Sequence, residues 1–107
     1  MTDVIQIHTT VDSEAQAQQI ADLLVQKNLA ACVQIGGPLR SRYRWQGNIE
    51  ESTEWMCTAK TAASLYESAE AAIRSVHSYD EPEIIATPVV AGSAGYLDWV
   101  RNSVMSD

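Results

Sequence analysis

Two histidines, two cysteines and a group of loop carboxylates are the side chains of this 107-residue chain best suited to chemistry beyond packing. His8 ends a short strand-like run, and His77 stands where a helical pattern gives way to the loop His77-Ser78-Tyr79-Asp80-Glu81-Pro82-Glu83. Imidazole nitrogens are borderline-soft donors suited to copper or zinc, and Cys32, Asp80 or Glu83 offers a third ligand. A histidine at an element end serves equally well as a hydrogen-bonded structural residue. Lys60, Tyr79, Glu81 and Glu83 form a second constellation of strand-end and loop residues. They are candidates for a polar pocket between subunits, where Lys60 would hold an anionic group and Tyr79 would hydrogen-bond or stack. An ion pair between Lys60 and a loop glutamate is the competing use of the same residues.

Nucleophile motifs are missing: the chain has no G-x-S-x-G, C-x-x-C or H-E-x-x-H. Gly36-Gly37-Pro38 lacks the lysine and following helix of a phosphate-binding loop. Hydrolysis and phosphoryl transfer are therefore not expected, and the chain reads as a non-enzyme.

Composition narrows the partners. With 46% hydrophobic and 20% charged residues the chain is globular in class, and its length suits one domain over residues 1–107. Its net charge of −7 repels nucleic acid and anionic membrane, which need a basic stripe. No basic-then-apolar leader follows Met1, and the apolar run from Ile84 to Gly92 is too short to span a bilayer, so a cytoplasmic location is expected. Cys32 and Cys57 fall in separate predicted strands and read as reduced thiols.

These side chains must be positioned by six main elements. Val4 to Thr10 has a strand's composition. Asp12 or Ser13 can cap a helix carrying Ala17, Ile20, Ala21 and Leu24 on one face, with Gln16 completing a capping box and Lys27-Asn28 ending it. Leu29 to Ile35 resumes as strand, and Gly36-Gly37-Pro38 permits a bulge. After Lys60, Thr61 or Ser64 caps a second helix with Leu65, Ala69, Ala72, Ile73 and Val76 at helical spacing. Ile84 to Val90 makes the last strand, and Tyr96 to Val104 a short terminal amphipathic helix. This is the β-α-β-β-α-β, ferredoxin-like order: an α+β fold whose antiparallel sheet carries both helices on one face. The other face then requires cover, and a second subunit is the candidate.

Between the central strands lies a hairpin. The run from Ile49 to Lys60 could reach roughly 40 Å at ~3.3 Å per residue, against a diameter near ~35 Å for a compact domain of this size. Ser41, Tyr43 and Trp45 share one face of its first strand, and Arg40, Arg42 and Arg44 share the other. A turn at Gly47-Asn48 sets Arg44 opposite Glu51; moving the turn by one residue sets Arg42 there. Tyr43, Trp45 and Trp55 project beyond one small core, so the hairpin reads as an oligomerisation arm, its aromatics the subunit interface.

Taken in order, Leu29-Ala30-Ala31-Cys32, Tyr43-Arg44-Trp45-Gln46-Gly47 with Ile49-Glu50-Glu51, Lys60-Thr61, the His77 to Glu83 loop and Tyr96-Leu97-Asp98-Trp99 resemble the CutA divalent-cation-tolerance family. The likeness covers almost the whole chain. It implies a non-enzymatic bacterial cytoplasmic protein linked to tolerance of copper and other divalent cations. It also implies a homotrimer built through the long hairpins, similar in architecture to the PII signalling proteins. A PII-like sensor of a small anionic ligand at the subunit interface and a purely structural hub are the alternatives. The family's proposed copper ligands fall here on His8 and His77. Some members carry a second histidine where this chain has Val76, so either copper affinity falls or another group such as Cys32 completes the site.

Overall fold

A computed structural model describes residues 2–105. The chain runs β1 (Val4–Val11), α1 (Glu14–Gln26), β2 (Cys32–Trp45), β3 (Asn48–Ala62), a 3-10 turn (Ala63–Leu65), α2 (Tyr66–Val76), β4 (Ile84–Pro88) and α3 (Ala94–Val104). The four strands form one antiparallel sheet in the order β2-β3-β1-β4, the ferredoxin-like arrangement expected.

Alternation along the strands divides the sheet into two faces. Ile7 and Val11 of β1, with Cys57 and Ala59 of β3, point into a core closed by Ile20 and Leu24 of α1 and Ile73 of α2. On the opposite face Val4 packs against Leu97 and Val100 of α3, so the terminal helix covers one end of that face. Arg101 fastens it, reaching Asp3 at 2.7 Å and Asp98 at 2.9 Å. Gln6, His8 and Thr10 continue the face of Val4 along β1, beyond that small cluster.

α1 begins as its sequence suggests: the Ser13 hydroxyl accepts the Gln16 backbone N–H at 3.1 Å. The expected box does not close, because the Gln16 side chain leaves the cap. Its amide donates to the Val76 carbonyl at 2.8 Å and accepts the Ser78 N–H at 2.9 Å, tying the start of α1 to the end of α2. Asn28, with φ of 56°, supplies the left-handed residue after the helix. Neither Thr61 nor Ser64 caps α2. Thr61 is a buried strand residue opposite Ile5, and the 3-10 turn delays the helix to Tyr66.

The hairpin projects as anticipated, giving a molecule of 45 × 25 × 22 Å. Its turn is Gln46-Gly47, both at positive φ, which is the type I′ pattern matched to strand twist. Arg42 therefore faces Glu51, at 2.6 Å, and Asn48 belongs to β3. At the root, β2 advances from Gly36 to Leu39 while β3 moves only from Met56 to Glu54, so β2 holds one extra residue. That bulge exchanges the two sides of β2. Cys32 and Gln34 point to the face opposite α1 and α2, and beyond the bulge Ser41, Tyr43 and Trp45 point the same way.

Candidate functional site

The two histidines have different hydrogen-bond partners within a protomer. His8, on β1, lies on the face away from α1 and α2, between Thr58 on one neighbouring strand and Thr87 on the other. Its Nδ1 is 3.3 Å from the Thr58 hydroxyl and its Nε2 is 3.1 Å from the Thr87 hydroxyl. Both partners can donate or accept, so the site imposes no tautomer. His77 is held differently. Its Nδ1 accepts the Tyr79 backbone N–H at 3.1 Å, which obliges Nε2 to carry the proton donated to the Thr10 carbonyl at 3.0 Å. Burial holds this imidazole below its ordinary pKa, against the opposing pull of the Thr10 carbonyl, Asp12 and Glu54.

A copper ion needs a free nitrogen lone pair, and the one on His77 is spent on a backbone N–H. Among the described residues no group of three or more His, Cys, Asp or Glu side chains is arranged to hold a metal. The postulated third ligands are dispersed. Cys32 sits 3.6 Å from the Tyr96 hydroxyl at the other end of the sheet, and Asp80 and Glu83 border a cavity at the arm root. A ready-made copper centre is thus not the fit of a single copy.

That cavity, of about 880 Å³, is where the arm meets the His77 loop. Tyr79 crosses it and donates its hydroxyl to the Glu54 carboxylate at 2.7 Å. Burial, then the neighbouring Glu54, raises the pKa of the Tyr79 phenol, keeping it a donor. Tyr79 and Glu83 line this cavity, and Lys60 does not. Lys60 bonds Gln34 at 2.6 Å and lies six residues along β3 from Glu54, about 20 Å on the strand rise. Glu81 turns to Arg74, at 3.8 Å, and among the described residues Lys60 makes no ion pair with a glutamate either. Glu54 is the residue sequence reasoning missed. It is the last of three carboxylates on β3, after Glu50 and Glu51, and stands opposite Leu39, where β2 resumes its pairing past the bulge.

The aromatic trio divides as well. Tyr43 and Trp45 are 43% and 53% exposed on the arm. Trp55 is on the other face of β3, packed on the core beneath α1 and against Gly37. Grouping Trp55 with the arm aromatics is corrected by strand parity: it is odd-numbered on β3, like Cys57 and Ala59.

Comparison with known proteins places this architecture. The divalent-cation tolerance protein CutA of Thermus thermophilus is 41% identical over 103 residues, covering 96% of this chain and 98% of its own length. An Arabidopsis thaliana protein named Protein CutA, chloroplastic, is 37% identical over 99 residues, and the chain spans only 54% of that protein. The crystal structure of CutA from Xylella fastidiosa superposes with a TM-score of 0.94 at 36% identity, covering 97% of this chain and all of that one. None of these names is that of an enzyme. Residues 5–103 match the model of the CutA1 divalent ion tolerance protein, and the chain belongs to that family.

Proposed function

We propose that the protein is a non-enzymatic, cytoplasmic homotrimer that serves divalent-cation tolerance by taking up copper or a related ion. The arm carries the assembly reading. Trp45 and Ile49 stand 53% and 66% exposed on a two-stranded projection that its own core cannot reach. Burying side chains of this size is worth about 2 kcal/mol each, so further copies of the arm-bearing chain are a strong driving partner. For the ion, His8 is the better ligand of the two histidines. Its hydroxyl partners can rotate away, whereas His77 would have to give up the Tyr79 backbone N–H that occupies its lone pair.

Calorimetric titration with Cu(II) and Zn(II) in a weakly chelating buffer tests the ion reading. Copper heats are expected from the wild-type chain and from His77→Ala, and their loss from His8→Ala. Equal heats from all three proteins would remove His8 as a ligand. No binding tighter than millimolar in the wild type would remove direct ion uptake altogether.

A further inference from the structure

Copies of a chain with a net charge of −7 repel one another on average, so their association depends on where the charges lie. The distribution is uneven. Of 7 basic residues, Arg40, Arg42 and Arg44 occupy alternate positions along the arm. Arg42 pairs with Glu51, Lys60 bonds Gln34, Arg74 faces Glu70 and Glu81, and Arg101 faces Asp3 and Asp98. Among the described residues Arg40 and Arg44 make no ion pair. Ile49, directly across from Arg44, adds an exposed apolar side chain to the same arginine face.

The arm root has the opposite character. Five carboxylates, those of Asp12, Glu54, Asp80, Glu81 and Glu83, line its cavity, and the single lining cation, Arg42, is already engaged by Glu51. Glu54 is only 7% exposed, and its hydrogen-bond partner is the neutral Tyr79 hydroxyl. A carboxylate that deep without a counter-cation is costly. The chain's own arm does not supply one. Arg40 and Arg44 leave the face shared with Thr53 and Ile49, opposite the Ser41 and Tyr43 face that borders the cavity.

We infer that the arginine face of one copy's arm seats on the carboxylate-lined root cavity of the next copy, bringing Arg40 and Arg44 to Glu54, Asp80 and Glu83. This rests on the homotrimer reading and gives it a contact. With each arm seated on a different neighbour, as the homotrimer reading requires, the interface is heterologous and closes as a ring. The guanidinium groups provide the counter-charge that Glu54 lacks, with the planar donors suited to carboxylates.

Light scattering and sedimentation over a dilution series should compare the wild type with Arg40→Glu/Arg44→Glu, with Asp80→Lys/Glu83→Lys and with a chain carrying all four changes. All four positions are exposed, so the protomer fold should persist, as circular dichroism can verify. Each pair alone is expected to raise the dissociation constant about 100-fold by setting like charges together. The fourfold chain, with the signs exchanged, is expected to return toward wild-type assembly. As an independent readout, Arg44→Cys/Asp80→Cys in a Cys32→Ser background should form a disulfide between copies and none within one. Unchanged assembly of both pair variants, or a fourfold chain no better than either, would overturn the contact while leaving the trimer in place. A wild-type chain that is monomeric throughout would overturn the trimer reading as well.

Discussion

Beneath α1 and α2, alternate residues of β1 and β3 vanish into the core: Ile7, Val11, Cys57 and Ala59 are at most 2% exposed. Further along, Ile49 of the same β3 and Tyr43 and Trp45 of its partner β2 are all open to solvent. β3 thus serves two purposes. Where helices lie across the sheet, its apolar residues close the protomer; where the hairpin outruns them, past the bulge that turns Tyr43 and Trp45 to the other face, it leaves aromatic and aliphatic surface that a further copy can cover. The root cavity, with Glu54 and Tyr79 at its centre, lies at the junction.

The sharpest way to break this contrast is to truncate one residue from each region. Ile73→Ala empties a site that is 1% exposed and should cost about 2–5 kcal/mol of protomer stability in urea denaturation at fixed protein concentration. Ile49→Ala should change protomer stability by less than about 0.5 kcal/mol. Equal losses at the two sites would erase the distinction between core and arm. Trp45→Ala should act on association instead, raising the dissociation constant about 30-fold, or ~2 kcal/mol, with little effect on the protomer's denaturation. A variant that denatures early and still assembles fully would place Trp45 with the core.

The bulge that joins the two regions can be stressed directly. Gly37 has φ of +148°, and a Cβ there would stand 2.7 Å from Trp55 Cδ1. Gly37→Ala should therefore cost about 1–3 kcal/mol, read from the same urea curves. Loss without consequence would mean the bulge relaxes freely.

A smaller effect comes from pH. Burial favours the neutral form of His77 in the folded chain, so the unfolded chain takes up the proton more readily. The stabilisation from this residue is complete above the ordinary imidazole value of about 6.5 and is lost as pH falls from there through the lower folded value. Thermal midpoints of the wild type should decline over that interval more steeply than those of His77→Gln. Parallel profiles would remove His77 from the support of the loop.

Much of this was legible in the residues. Ser13, Asn28 and the spacing of Ile20 and Leu24 define α1 by local chemistry, and Gly36-Gly37-Pro38 marks the bulge. What lay hidden was mostly long-range. Sequence parity groups Trp45 with Val33 and Ile35; the extra residue in β2 sends it to the opposite side. Trp55, on the uninterrupted β3, keeps its place over the core, and no local pattern distinguishes it from Trp45. The histidines looked equivalent as element-end imidazoles. They differ because His77 receives a backbone N–H from its own loop, whereas His8 receives hydroxyls from two flanking strands. Lys60 and Tyr79 looked like one pocket, and the strand rise between Lys60 and Glu54 separates them.

The solution mass of the wild-type chain bears most directly on the claim that the arm is completed by further copies. Sedimentation equilibrium from nanomolar to micromolar concentration should show a trimer at the upper end and, where dissociation begins, a transition shared by the trimer and smaller species. A monodisperse monomer at micromolar concentration would contradict it, leaving Trp45 and Ile49 as surface residues with another partner.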